Sequence, residues 1–242
     1  MSYSKEDASV LFSGGSDSTL AAAMCVGQFG KVHLLNFHHS GMQSVGKSSV
    51  NVERLQKKFG EDRFIFKLLD IEKPFRKIYY ADYSRDLERY GTFLAAATCN
   101  ICQLAMHAAT IVYDVKHNIK YTCDGYKREK EHVYIIMAQE GVNLLKKSYS
   151  KYGIRYDNPV HDILRTDWEL YDLGITPTRN VKFPYERLNY QSQHSCFHGI
   201  LTNAYILGYY YPLHLDRSNR WLEYFTKKLE LAEAYVDEQI KA

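Results

Sequence analysis

The stretch Val10-Leu11-Phe12-Ser13-Gly14-Gly15-Ser16-Asp17-Ser18-Thr19 decides the fold. It joins an apolar run at residues 8–12 to an Ala-rich segment at residues 19–26 through a turn of glycine and serine. The apolar run predicts a buried strand and the Ala-rich segment a helix. Two glycines let the backbone turn tightly and approach an anion, while the hydroxyls and the first helical amides supply hydrogen-bond donors. This order of strand, turn and helix is typical of an α/β fold with an anion-binding loop.

The same alternation continues along the chain. Further strands are predicted at residues 32–37, 63–69 and 119–123. Ser48 or Ser49 is a candidate cap for a helix whose apolar face is Val52, Leu55 and Phe59, and a longer helix is predicted over residues 101–115. Strands separated by helix-length segments indicate βαβ units. We therefore predict a Rossmann-like α/β fold with a parallel five-stranded sheet and helices on both faces.

The C-terminal third has a different pattern. Residues 176–215 are irregular and rich in aromatic residues, and an amphipathic helix is predicted from Ser218 to the end. Its expected apolar side consists of Trp221, Leu222, Phe225, Leu229 and Val236. We divide the chain into an α/β domain at residues 1–176 and an irregular helical region at residues 177–242. The second region is either part of the same domain or a small appendage.

Composition excludes several classes of protein. The 242 residues contain 31 Lys plus Arg and 28 Asp plus Glu, a formal net charge of +3 that argues against a protein mainly devoted to gripping a polyanion. Five cysteines do not fit a disulfide framework, and residues 1–9 contain no apolar secretion segment, so we expect a cytoplasmic protein with reduced thiols. Residues 92–113 carry no Asp, Glu, Lys or Arg, but their strongest apolar residues fall on one face, which favours a buried helix over a membrane span.

A second segment competes as a phosphate loop. Gly41-Met42-Gln43-Ser44-Val45-Gly46-Lys47-Ser48 matches the pattern G-x-x-x-x-G-K-S, in which the lysine holds phosphates and the serine reaches magnesium. Three residues separate it from the preceding strand, and no clean apolar strand ending in Asp follows it. A polar loop leading into a helix is therefore the favoured interpretation, and an NTPase or kinase is kept as an alternative. In the first loop, Asp17 is a poor neighbour for bare phosphate, so its presence indicates Mg²⁺.

Residues 10–19 resemble the signature of the N-type ATP pyrophosphatases, the S-G-G-x-D-S (PP-loop) group of the adenine nucleotide α-hydrolase-like superfamily. The resemblance continues in order through Asn36-Phe37, Thr122-Cys123-Asp124-Gly125-Tyr126, Asn158-Pro159-Val160 and residues 164–175. Asp124 stands where the family usually has Thr. The resemblance implies the HUP-type variant of the Rossmann-like fold for residues 1–176.

The resemblance also implies a reaction. Enzymes of this family cleave ATP between the α- and β-phosphates, transfer AMP to a carbonyl or amide oxygen, and let a nitrogen or sulfur nucleophile displace it. It implies catalytic roles for Asp17, Ser18, Lys127 and Arg128, with ATP and Mg²⁺ as cofactors; a solvated surface run is the other interpretation of the two basic residues. The nucleotide would be bound by the following residues: Ser13, Gly14, Gly15, Ser16, Asp17, Ser18, Asn36, Phe37, Asp124 and Gly125.

Three cysteines leave the subfamily open. Cys99-x-x-Cys102 begins the long helix, and Cys196 precedes His198. Three thiols with His194 or His198 are a candidate tetrahedral Zn²⁺ site, for which we select Cys99, Cys102, Cys196 and His198. Alternatively, Cys102 and Cys196 resemble the paired cysteines of tRNA 2-thiolases, which transfer persulfide sulfur. Ordinary packing of small buried thiols is the third interpretation.

The layout most resembles that of the 7-cyano-7-deazaguanine synthases of queuosine biosynthesis, although this chain lacks their C-terminal cysteine cluster. We therefore expect AMP-forming activation of a carbonyl on a small, deazapurine-like substrate for attack by nitrogen. The length and the net charge of +3 leave little room for an RNA-binding domain, so a small molecule is favoured over tRNA as partner. Alternatives are tRNA thiolation and a non-catalytic nucleotide-binding protein, and a homo-oligomer is left open.

Overall fold

A computed structural model of the chain describes residues 6–43, 45–128, 134–179, 195–213 and 219–241. Its strands are β1 (Ala8–Leu11), β2 (Val32–His38), β3 (Met42–Gln43), β4 (Phe64–Asp70), β5 (Tyr121–Cys123), β6 (Arg155–Asp157) and β7 (Ser195–Cys196). Five of them form one parallel sheet in the order β4-β2-β1-β5-β6. The predicted Rossmann-like α/β fold is confirmed.

Strand order places a switch point beside β1. The chain runs from β1 to β2 and β4 on one side, and returns to β5 and β6 on the other. Crossovers therefore leave β1 in opposite directions, which opens a crevice at the carboxyl ends of β1 and β5.

Helices cover both faces of the sheet. They are α1 (Ser16–Val26), α2 (Ser49–Phe59), α3 (Glu72–Tyr79), α4 (Tyr83–Tyr90), α5 (Phe93–Lys116), α6 (Gln139–Lys151), α7 (Thr166–Asp172), α8 (Phe197–Tyr205), α9 (Tyr211–Leu213) and α10 (Asn219–Lys241). A π-helical turn, Ile206–Tyr210, joins α8 to α9. Alternate residues of β1 face opposite layers: Val10 packs in a core with α1, α2 and α7, and Leu11 packs in a core with α5.

Helix α5 is the central helix of the second layer. Its 24 residues are long and apolar enough to cross a membrane by length and composition, but 56% of the most apolar window is buried inside the fold. A larger core joins α5 to α3, α6 and α10, with Phe93, Ile101, Tyr149 and Phe225 among its buried members. The prediction of a buried helix is confirmed.

Several boundaries differ from the sequence expectations. Helix α1 begins at Ser16, three residues before the predicted start, so the second half of the Ser13–Ser18 loop is the first helical turn. Serine favours caps over helix interiors, which misplaced that boundary. In α10, Leu222 is 37% exposed, whereas Trp221 and Phe225 are buried as expected.

A small second sheet holds the segment that carries Cys196. Strand β3 pairs antiparallel with β7 through Met42↔Cys196 and Gln43↔Ser195, and Phe197 N donates to Gly41 O at 3.1 Å. This segment belongs to the region predicted to be irregular, where residues 195–213 form β7, α8, the π-helical turn and α9. The other parts of that prediction, residues 180–194 and 214–218, lie outside the described residues, as does His194.

Candidate active site

A cavity of about 550 Å³ opens at the carboxyl ends of β1, β2 and β5. One part is polar and is formed by the glycine–serine loop, Lys127 and the start of α7; the other is largely apolar and faces α5. The complete lining is Leu11, Phe12, Ser13, Gly15, Ser16, Asp17, Ser18, Phe37, Gln103, Met106, Asp124, Gly125, Tyr126, Lys127, Met137, Leu164, Arg165, Thr166 and Asp167. Such a cavity is within the range that binds small ligands and cofactors.

The polar part is centred on the N-terminus of α1. Gly14 turns the chain with φ of 81°, a conformation that glycine adopts at little cost. Gly15 N donates to Ser13 Oγ at 3.3 Å, and Ser18 Oγ donates to Gly15 O at 3.2 Å, so the turn is fixed by its own residues. From α2, Asn51 Nδ2 donates to Gly14 O at 2.7 Å. The first amides of α1 and the helix dipole therefore favour an anion here.

Thr166 and Lys127 approach this loop from distant parts of the chain. Thr166 Oγ1 donates to Asp17 Oδ1 at 2.6 Å, which ties α7 to the first turn of α1. Lys127 is buried, donates to Leu164 O at 3.0 Å and lies 3.9 Å from Asp17 Oδ1. Its cation therefore stands beside the loop that the sequence assigns to phosphate. Thr166 was not a predicted site residue, although it lies inside the motif at residues 164–175.

Asp124 and Gly125 line the cavity beside the first turn of α1. Asp124 is 1% exposed and accepts hydrogen bonds from Tyr126 N at 2.9 Å, from Asn158 Nδ2 at 2.7 Å and from the hydroxyl of Tyr156. Burial raises the pKa of this carboxyl to about 6, against the effect of those donors. Because its oxygens are engaged by protein donors, Asp124 shapes the turn in which Gly125 approaches α1.

Two predicted site residues, Asn36 and Arg128, are not among the residues that line the cavity. Asn36 is fully buried and donates to Phe12 O at 2.7 Å, so it ties β2 to the end of β1, while Phe37 lines the cavity. Arg128 does not line the cavity; its exposed guanidinium pairs with Asp162 at 2.9 Å. The structure therefore brings Lys127 into the site and leaves Arg128 outside it.

The predicted cysteines come together from α5 and β7. A Cβ built on Gly199 would be 4.0 Å from Cys99 Sγ and 3.9 Å from Cys196 Sγ. Cys102 and Cys196 pack against the same apolar cluster. Burial raises the pKa of the Cys99 thiol to about 11 and that of Cys102 well above its ordinary value, so both are protonated at neutral pH. We call Cys99, Cys102 and Cys196 the thiol cluster.

His198 does not join the thiol cluster as a fourth ligand. Its ring stacks on that of His39 with centroids 6.0 Å apart, beside Gly41. Over the described ranges, no group of three or more His, Cys, Asp or Glu side chains is arranged to hold a metal ion. The predicted zinc set does not fit a metal centre as it stands.

The second candidate phosphate loop does not contribute to the cavity. Gly41 to Ser48 spans β3 and a 3₁₀ turn at Val45–Ser48, with Lys47 exposed, Ser48 buried and Ser44 outside the described residues. None of its described residues lines the cavity. The geometry gives no support to a kinase or NTPase site there.

Oxygen donors in the polar part fit Mg²⁺. Asp17, Ser18 and Asp167 all line it, and carboxylate and hydroxyl oxygens are the ligands that this cation accepts. When bound, the ion would neutralise phosphate charge beside Asp17.

Together the strand order, the cavity at the switch point and the loop at α1 define a Rossmann-like α/β domain with a candidate anion-binding site.

No protein-family model and no curated protein matches the chain. A solved structure titled as a predicted subunit of tRNA methyltransferase from Methanocaldococcus jannaschii is similar at 17% identity and TM-score 0.41, covering 83% of this chain and 87% of that chain. The U34-tRNA thiolase NcsA from Methanococcus maripaludis, with its 4Fe-4S cluster, is similar at 13% identity and TM-score 0.47, covering 98% of this chain and 72% of that chain. The class follows from the strand order and the cavity, to which these distant likenesses add nothing further.

Proposed function

We propose that this protein cleaves ATP to AMP and pyrophosphate in order to activate a carbonyl group. One observation carries the proposal: Lys127 and the Asp17–Thr166 pair converge on the N-terminal amides of α1 at the polar end of one cavity. The ordered resemblance to N-type ATP pyrophosphatases supplies the reaction.

The lining residues suit the charge changes of that reaction. A carbonyl oxygen of the substrate attacks the α-phosphorus, the bond to the bridging oxygen breaks, and pyrophosphate leaves with its negative charge. The α1 amides, Ser13, Ser18 and Lys127 stabilise that charge, as preorganised donors do at other phosphoryl sites. The AMP ester then gives a good leaving group for a nitrogen nucleophile acting on a small substrate.

A second candidate is insertion of sulfur rather than nitrogen, and the thiol cluster favours it. Cys99 and Cys102 lie on the same helix as cavity residues Gln103 and Met106. A sulfur carried on Cys102 would be one residue from Gln103 along the helix that lines the cavity. The substrate in that case is a tRNA base, as the resemblance of Cys102 and Cys196 to the cysteines of tRNA 2-thiolases implies.

Labelled ATP tests the proposed reaction. The protein is incubated with α- and γ-labelled ATP and a panel of lactams, carboxylates and unmodified tRNA. AMP and pyrophosphate are expected, whereas ADP and phosphate would refute the proposal. Asp17→Ala should abolish AMP formation, and Lys47→Ala, an exposed residue outside the cavity, should leave it unchanged; melting curves of both variants check folding.

Two measurements separate nitrogen from sulfur. Mass spectrometry of tRNA from a deletion strain shows either a missing thiolated base or a missing nucleoside made from a small precursor. Metal analysis of wild-type protein and of Cys99→Ser tests the zinc prediction, and an active metal-free protein would end it.

A further inference from the structure

Gln103 is the only amide side chain among the described residues that line the cavity. The lining also contains the apolar side chains of Leu11, Phe37 and Met106, which belong to one apolar cluster, and those of Tyr126 and Met137. Gln103 Oε1 is buried and has no hydrogen-bond partner among the described residues. A buried polar atom left unpaired is costly. The Gln103 side chain as a whole is half-buried and lines the cavity, so rotation of its terminal amide would bring Oε1 to a ligand that supplies the missing partner.

Polar side chains at the other end of the cavity already have partners. Asp17 accepts from Thr166, Lys127 donates to Leu164 O, and Asp124 accepts from three donors. Tyr126 in the apolar part shares a hydrogen bond of 2.9 Å with His107 Nε2. Gln103 therefore stands out as the group prepared for a contact that the protein itself does not make.

Position along α5 locates the missing ligand. Cys99, Cys102, Gln103 and Met106 are spaced three, one and three residues apart, which puts them on one face of the helix. That face runs from the thiol cluster into the cavity. A group held by Gln103 consequently lies on the same face of α5 as Cys99 and Cys102.

We infer that Gln103 is a substrate-positioning residue that pairs with a ring lactam, a cyclic amide, on the planar molecule activated here. A primary amide presents one donor and one acceptor side by side, and a lactam presents the complementary acceptor and donor. A carboxylate offers acceptors alone and would leave Oε1 unpaired. Apolar walls that include the rings of Phe37 and Tyr126 suit a flat heterocycle. This inference rests on the proposed function, because the lactam carbonyl is the oxygen to be adenylated.

A matched pair of nucleosides tests the pairing. Uridine carries the lactam, and 3-methyluridine keeps the carbonyl but replaces its N–H by N–CH₃. Each is titrated at millimolar concentration into ¹⁵N-labelled full-length protein, with the Gln103 side-chain amide signals assigned by their loss in Gln103→Glu. Uridine is expected to move those signals and to bind about tenfold more tightly than 3-methyluridine. Equal binding of the two nucleosides, or unmoved signals, would overturn the inference.

Two variants exclude simpler explanations. Gln103→Leu should remove the preference for uridine, whereas Gln28→Leu, at an exposed glutamine in the turn after α1, should keep it. Asn100 is 1% exposed, lies one turn before Gln103, and its Nδ2 has no partner in the described part of the chain. If Asn100→Leu moves the Gln103 signals and uridine does not, Asn100 is the true partner and the inference is wrong.

The outcomes separate the two proposals. AMP formation together with equal binding of both nucleosides refutes the lactam pairing and leaves the proposed reaction intact. Uridine bound through Gln103 with no AMP formed from labelled ATP refutes the reaction and keeps the pairing.

Discussion

Gly125→Ala tests whether the turn after β5 must touch the first turn of α1. A Cβ at this position would lie 2.5 Å from Ser18 N and 2.8 Å from Asp17 C, both backbone atoms. Ordinary contact begins near 3.4 Å, so the two walls must separate by about 0.9 Å. Overpacking of this kind costs about 1–3 kcal/mol in the free energy of unfolding. Since a chain of this size loses about 2–4 °C per kcal/mol, we expect a clear fall in Tm.

Binding should fall together with stability, because the displaced amides are the ones assigned to phosphate. Mg-ATP affinity, measured by calorimetry, is expected to drop about tenfold or more if a single charged hydrogen bond is lost. Gly46→Ala is the matched control: its Cβ would meet nothing within 4 Å, and both quantities should stay at wild-type values. A Gly125→Ala protein with unchanged Tm and unchanged affinity would refute the close approach.

Three further predictions concern residues with ionisable side chains. Burial raises the pKa of Asp114 to about 8. The stability that its protonated form contributes is therefore complete below about pH 4 and is lost as the pH rises towards 8. Asp114→Asn should make the midpoint of urea unfolding less dependent on pH over that window. Lys127→Ala should weaken ATP binding about tenfold or more in calorimetry, while Arg128→Ala, an exposed neighbour, leaves it unchanged. Lys228 is fully buried and its Nζ lies 2.7 Å from an Asp86 oxygen. Lys228→Ala should therefore lower the free energy of unfolding, measured with a chemical denaturant, by about 3–5 kcal/mol. The same substitution at the half-exposed Lys227 should lower it by less than about 1 kcal/mol.

The strands were predictable where burial is continuous. Residues 8–12 and 32–37 read as apolar runs because a parallel strand with helices on both faces has no solvent side. Strand β6, Arg155–Asp157, has no such run; it is three residues long and only Tyr156 is buried. Its place in the sheet comes from backbone pairing with β5, which side-chain patterns do not encode.

Site residues were predictable where they lie in one contiguous motif. The Ser13–Ser18 loop could be read directly, and Lys127 follows a second motif closely. Thr166 donates a hydrogen bond to Asp17, which is 149 positions away in the sequence. Gln103 is a candidate because it lines the cavity and its Oε1 has no partner in the described part of the chain. Neither property exists until the fold brings distant segments together. His198 remains a prediction from its spacing to Cys196; in the structure its ring lies on that of His39.

The antiparallel pairing of β3 with β7 holds one cysteine of the thiol cluster less firmly than α5 holds the other two. Cys99 and Cys102 belong to a 24-residue helix in the main core, whereas Cys196 is held by two residue pairs, by the bond from Phe197 N to Gly41 O and by packing against a smaller apolar cluster. Each such hydrogen bond contributes on the order of 1 kcal/mol, far below the cost of opening the core. Detaching β7 would separate the Cys196 sulfur from the two half-buried thiols of α5 and leave the parallel sheet whole, so the thiol cluster can come apart without global unfolding.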